Sequence, residues 1–546
     1  MNNRKYNIYF HTHTISGIFI CAILFVIFFA GSYSFFKKEI SAWQSNSSYV
    51  SHEKQVIRYD RLLDSLNQQY NLTGRDISLF FQEKTFDTYV DMSASKDSTL
   101  VPKKKPEAKK EKGRGRRREG DGQYFKYNFI KRDSKTYEQS YDMGEFLYRL
   151  HFLAQLNQVP IRLGFAFGYM IAGLVAFLFL FALITGLMLH WDKIVSNFFV
   201  FRPWSKAKTV WTDAHTALGV IGFPYQFIYA VTGIVLIFNT VLITPFTYIF
   251  YDGKSEKIFQ DLDYSDAREY TYGYSRLTQK IDVQSYVDRT RKMWGDPFIQ
   301  RLIVKNYGDT SMHVIVEGTA NKKDNFSGTG RVIYRVQDDK IIYQKSPIDN
   351  VTYIDRVKSI IYRLHFGDYG GYALKIVYFI LGLMGCVVII SGILVWLVGR
   401  EKDSIPAHKR KFNFWLANIF MAACMSMFPV TALTFIAVKV NSAVDQAFIY
   451  HFYFYGWLLF SAYYIFRRNL KRTNQETVLL GSIFSLLIPV ANGIYSGNWI
   501  WKTYAAGASD IMIFDLFSLS LALVGFYSFY KMKQKDKKDL PAVAIA

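Results

Sequence analysis

A chain of 546 residues that is 50% hydrophobic and 18% aromatic, yet carries a formal net charge of +22, does not read as one soluble globule. The apolar residues must be gathered into segments, which excludes a uniformly solvated enzyme and points to a membrane protein. The three cysteines, Cys21, Cys386 and Cys424, fall in apolar runs, leaving no disulfide framework in the polar segments and no spacing for a cysteine-based zinc or iron–sulfur site.

Residues 1–36 contain the uncharged run 15–36, a first transmembrane helix; it is too long for a signal peptide, and no small-x-small cleavage site follows it. Residues 37–143 predict a small exported α+β domain, with a helix over 55–70 and strands at ISLFFQE, DTYVDMS and YFKYNFIKRD. Within it, 96–122 is basic, low in complexity and nearly free of apolar residues, which predicts a disordered insertion. Residues 144–191 carry YRLHF at 148–152 and a second helix, and 192–213 form a basic loop. A third helix spans 214–251, and a second exported α+β domain spans 252–355. That domain predicts a helix over 283–294 and β-rich runs IQRLIVKN, SMHVIVEG and RVIYRVQDDKIIYQK. Residues 356–399 repeat YRLHF at 362–366 before a fourth helix. Residues 400–546 add helices at 412–438, 448–466, 477–501 and 511–530, of which 448–466 is short and Tyr-rich. The expectation is eight spans, each able to cross about 30 Å of hydrocarbon. Lys and Arg crowd the segments before helix 1, at 192–213, 400–411 and 467–476, and in the tail; the positive-inside rule places these and both termini in the cytoplasm.

The order HTxxG, helix, exported segment, YRLHF, helix occurs twice. His13 and His215 open the two HTxxG copies, and the second helix of each repeat ends in LITGLML or IISGILV. This is an internal duplication of a two-span unit. Both copies enter the membrane with one orientation, so their symmetry axis runs along the membrane normal and equivalent residues face one another at one depth.

Two symmetric histidine pairs follow: His13 with His215 on the cytoplasmic side, and His151 with His365 on the outer side. Facing imidazoles in an apolar four-helix interior suit the axial positions of a haem iron. Binding of another metal and proton transport are the competing readings. Gly17 and Gly219, one turn after His13 and His215, leave room for close approach. Arg149 and Arg363, two residues before the outer histidines, suit haem propionates. His190 has Trp396 at the equivalent place in the other repeat; it breaks the symmetry but shares the depth of the cytoplasmic pair, and is a reserve ligand. His11 points away from His13, His52, His313 and His408 read as structural or solvated, and His451 has no evident partner.

HTxxG, LHF and the TG/SG helix ends at Gly186 and Gly392, with the two exported α+β segments, resemble the PepSY-associated transmembrane family of bacterial inner-membrane proteins over residues 4–400. The family includes haem-containing ferric-siderophore reductases. The resemblance implies a polytopic α-helical inner-membrane protein with two PepSY-like periplasmic domains. It also implies two b-type haems on His13/His215 and His151/His365, and reduction of a ferric chelate or siderophore in the periplasm. Two features depart from that pattern: the basic insertion and the four helices after residue 400, whose roles range from docking a donor or binding quinol to packing alone. No glycine run has the strand–turn–helix context of a nucleotide site, so the electron donor is quinol or a cytoplasmic reductase. Membrane lipid is the other partner, and no nucleic acid is expected. A transporter is the first alternative, opposed by the Phe, Leu, Ile and Val filling the middle of helices 1–4. The second is a cell-envelope regulatory or binding protein without a cofactor.

Overall fold

The computed structural model describes residues 2–50, 57–99, 122–159, 166–202, 205, 207–264, 266, 268–295, 297–320 and 325–539. His52 and most of the basic insertion, residues 100–121, lie outside the described residues. The chain divides into two compact units: Met1–Ser51, Tyr141–Phe238 and Gly370–Ala546 form one, and His52–Ser140 and Asn239–Tyr369 form the other.

In chain order, α1 (Asn3–Ser34) and α2 (Lys37–Ser45) open the first unit, and α3 (Tyr59–Tyr70), β1 (Ile77–Phe81), β2 (Asp87–Met92), β3 (Gln123–Asn128) and β4 (Asp133–Thr136) belong to the second. The first unit continues with α4 (Met143–His151), α5 (Phe167–His190), α6 (Ile194–Phe199) and α7 (Ala207–Ile237). The second resumes with α8 (Asn239–Phe250), α9 (Ser255–Asp261), α10 (Val283–Trp294), β5 (Phe298–Lys305), β6 (His313–Thr319), β7 (Thr329–Arg335), β8 (Lys340–Lys345) and α11 (Tyr353–Phe366). The first closes with α12 (Gly371–Val398), α13 (Ala407–Val440), α14 (Gln446–Arg467), α15 (Leu470–Ser496), α16 (Ile500–Ala505) and α17 (Ser509–Asp539).

Among the described residues, seven helices, α1, α5, α7, α12, α13, α15 and α17, are long and apolar enough to cross a membrane, and the chain is a multi-pass membrane protein. The eighth expected span, α14, is a helix of 22 residues, but its tyrosines and His451 leave it less apolar than the other seven. The expected third span over 214–251 is broken: α7 ends at Ile237 and α8 begins at Asn239. Asn239 follows the break, and a short polar side chain such as its own favours helix ends over helix interiors.

Helices α1, α5, α7 and α12 form a closed ring in which α1 touches α5 and α12, and α7 touches the same two. Small residues permit this approach: a Cβ on Gly385 would sit 2.6 Å from the Phe28 ring, and one on Gly173 would meet the Phe238 ring. Beside the ring, α15 packs against both α13 and α17, and α14 lies on α13.

The two α+β segments, expected as separate domains, share one antiparallel eight-stranded sheet in the order β4-β3-β2-β1-β5-β6-β7-β8. Each half is a four-stranded meander. The first strands of the two halves pair, Ile77 opposite Val304 and Leu79 opposite Leu302, which removes two exposed edges. Alternate residues such as Leu79, Val90, Leu302, Val316 and Val332 point to one face, where α3 and α10 cover them with Leu62, Leu66, Val287 and Trp294. Gly330 admits Trp294, whose ring would lie 2.8 Å from a Cβ there.

Candidate functional site

The ring of α1, α5, α7 and α12 brings His13 and His215 face to face. Their ring centres are 6.1 Å apart and their planes 60° apart. Nδ1 of His13 lies 2.9 Å from the Ala182 carbonyl on α5, and Nδ1 of His215 lies 2.8 Å from the Val388 carbonyl on α12. A carbonyl only accepts, so each Nδ1 carries the proton and each Nε2 presents a bare lone pair. Each imidazole also rests on a glycine one turn beyond its carbonyl. A Cβ on Gly186 would be 3.0 Å from Cε1 of His13, and one on Gly392 would be 2.9 Å from Cε1 of His215. These are the TG and SG helix ends, and the glycine is what lets the ring lie against the neighbouring backbone.

Gly17 and Gly219 behave differently. A Cβ at either would meet nothing within 4 Å. The helix faces one turn along from both histidines therefore border open space. This arrangement fits an iron porphyrin on four counts: neutral imidazoles, lone pairs fixed by the Nδ1–carbonyl bonds, open faces at the glycines and apolar walls. Among the described residues, no group of three or more His, Cys, Asp or Glu side chains is placed to hold a bare metal ion.

His151 repeats the same seat on the other end of α1. Its Nδ1 is 2.8 Å from the Ile27 carbonyl, and a Cβ on Gly31 would be 2.5 Å from that nitrogen. Burial pulls the His151 pKa below the ordinary imidazole value, against the opposing effect of the Ile27 bond. All three seats place the accepting carbonyl four residues before the glycine, so the pairings Ile27/Gly31, Ala182/Gly186 and Val388/Gly392 are one device. Sequence reasoning missed Gly31; its signal is a small residue in the aromatic run FFAGSYSFF. The carbonyls have no sequence signal.

His365 ends α11 in the other unit, half-buried. The two arginines are buried and engaged locally. Arg149 Nε donates to Glu145 at 2.6 Å, and Arg363 Nη1 donates to the Asn325 and Phe326 carbonyls at 3.0 and 2.7 Å. Arg363, Tyr362 and Lys358 also line an open cleft of about 380 Å³ beside the Asn325–Gly328 turn. His190 shows the opposite bonding to His13 and His215: the Asn197 amide donates to its Nδ1 at 3.0 Å, which places the proton on Nε2. His11, His408 and His451 are exposed, and His313 sits in β6 with its Nδ1 on the Ser311 carbonyl at 2.8 Å.

The family described as the PepSY-associated TM region matches residues 10–398, the span that holds both HTxxG copies and both YRLHF copies. No curated protein matches the chain.

Proposed function

This chain belongs to the PepSY-associated transmembrane family, and from that premise we propose that it is a haem-dependent transmembrane electron-transfer enzyme. In this reading, His13 and His215 hold one b-type haem, and His151 and His365 hold a second. The chain takes electrons from quinol or a cytoplasmic reductase. It passes them to a ferric chelate, such as a siderophore, on the outer side of a bacterial inner membrane. The proposal includes the duplicated origin of the two halves, an eighth span in α14, and cytoplasmic termini.

The observation that carries this reading is the facing pair, His13 and His215, with both Nε2 lone pairs presented and both Nδ1 protons committed to carbonyls. When bound, haem would supply reversible one-electron chemistry, and His13 and His215 would hold it. The chain does the rest. The Ala182 and Val388 carbonyls fix tautomer and ring orientation. Gly186 and Gly392 seat the rings, and Gly17 and Gly219 keep the adjoining faces clear. The apolar faces of α1, α5, α7 and α12 exclude water. The second pair rests on the sequence repeat, supported by the matching seat of His151 on Ile27 and Gly31.

The test is direct. Purified protein reduced with dithionite should show sharp α and β bands and lose them within seconds of mixing with a ferric chelate. A preparation that carries porphyrin but keeps its reduced spectrum against every chelate tried would refute the reductase assignment. A colourless preparation that takes up no added haem would refute the cofactor.

A further inference from the structure

We propose that the C-terminal helices α13–α17 are a brace that positions His151, with Trp43 and Phe146 as its positioning residues. The inference rests on the haem reading for its functional meaning.

Helix α4, which ends in His151, has nine residues, and so does α2. Helices this short do not hold themselves in place; packing must do it. Helix α4 packs on α1, where His151 is seated, and has two further supports. One is α2: Gln44 accepts from the Met143 amide at 2.9 Å, and Lys37 pairs with the buried Glu145 at 2.6 Å. The other is α14, where the Phe146 ring lies 4.7 Å from Tyr453 and 5.8 Å from Tyr450.

Helix α2 is in turn locked into the C-terminal bundle by Trp43, which is fully buried. The Trp43 indole donates to Asp515 of α17 at 2.8 Å, and Asn492 of α15 donates to the other oxygen of that carboxylate, also at 2.8 Å. Lys439 of α13 lies 4.2 Å above the Trp43 ring and donates to the Trp43 carbonyl. Trp43 thus ties α17 and α13 to α2 directly, and α15 through the Asp515 carboxylate. The bonds among Trp43, Asp515, Asn492 and Lys439 specify one geometry rather than a loose apolar contact. The line of support runs from α13, α15 and α17 through Trp43 to α2, and from α14 through Phe146 directly to α4. It ends where the His151 ring meets Gly31. Axial ligands are tuned by how their rings are held, so a slack brace changes the centre that His151 serves.

Two variants test this in the full chain, Trp43→Phe and the milder Phe146→Leu. The first readout, hydrogen exchange of the 143–151 amides, needs no cofactor. Exchange there should speed up at least tenfold in both variants, with α5 and α12 unchanged. The second readout is the redox titration of the haem-loaded protein. The centre lost in His151→Ala should shift in the brace variants by tenfold in its reduction equilibrium, 59 mV for one electron, while the centre lost in His13→Ala stays put. Unchanged exchange at 143–151, or an equal shift of both centres, overturns the proposal. If wild-type protein binds no porphyrin, the haem reading fails by itself, and the exchange result alone decides whether the brace exists.

Discussion

The two HTxxG motifs sit in matching surroundings, and the two YRLHF motifs do not. At the HTxxG end the halves agree bond for bond: His13 on Ala182 and Gly186, His215 on Val388 and Gly392, at nearly equal distances. At the YRLHF end the same five letters sit in unlike surroundings. Arg149 is buried against Glu145, four residues before it on α4, and Phe146 is covered by α14. The position matching Glu145 in α11 is Ser359, and Arg363 turns instead to the Asn325 and Phe326 carbonyls. Tyr362 and Phe366 of α11 are exposed. At the HTxxG end the two seats mirror one another around their histidines. At the YRLHF end the residues flanking each histidine pack on neighbours of their own and differ.

Substitutions can break this contrast, beginning with the largest effect. Gly219→Leu adds a side chain where a Cβ meets nothing within 4 Å. It should leave helix content and thermal stability unchanged yet remove the haem of the His13/His215 pair, read as porphyrin per chain; full porphyrin content would show that the open face is not the binding face. Glu145→Ala comes next. It strips a buried carboxylate from Lys37 and Arg149 at once, and should destabilise the membrane unit by about 3 kcal/mol. Ser359→Ala, at the matching place in the second copy, should stay within about 0.5 kcal/mol. Equal losses in a detergent-based unfolding series would erase the distinction between the two ends. Gly186→Ala and Gly392→Ala press a methyl against equivalent imidazoles and should cost the same, about 1–3 kcal/mol each; a twofold disparity would break the symmetry claimed for that end.

The smallest effect belongs to α11. Burial alone would raise the Asp355 carboxyl, but Lys345 at 2.8 Å and hydrogen bonds from Thr329 and Thr352 outweigh it and hold the group at about 2, below its ordinary 3.8. A carboxyl lowered on folding stabilises above its unfolded value and loses that contribution as pH falls through 3.8 towards 2. Asp355→Asn should therefore cost the sheet unit about 1–2 kcal/mol near neutral pH, and progressively less below pH 4. A cost that holds constant down to pH 2 would mean the charge is not what stabilises this turn.

Much of this was readable from residue order. The helix expected over 283–294 is Val283–Trp294, because its apolar residues recur at helical spacing and Gly295 ends it. His13 and His215, which the structure brings together, stand out in the sequence because HTxxG occurs twice. Other features were not. The strand Asp133–Thr136 is four polar residues with an exposed face and carries no alternation to detect. The pairing of β1 with β5 joins strands that lie far apart in sequence, and nothing local specifies it. The Ala182, Val388 and Ile27 carbonyls belong to apolar residues whose letters say nothing of the bond. The role of Trp43 depends on Asp515, and only the packed bundle brings the two together.

The claim on which the account turns is that His13 and His215 clamp one porphyrin between them. Quantitative haem extraction from His13→Ala and from His215→Ala, each beside the parent protein, tests it most directly. The account predicts that each variant loses the same half of the porphyrin and the same spectral component. Retention of the full complement in either variant, or loss of different components from the two, would contradict it.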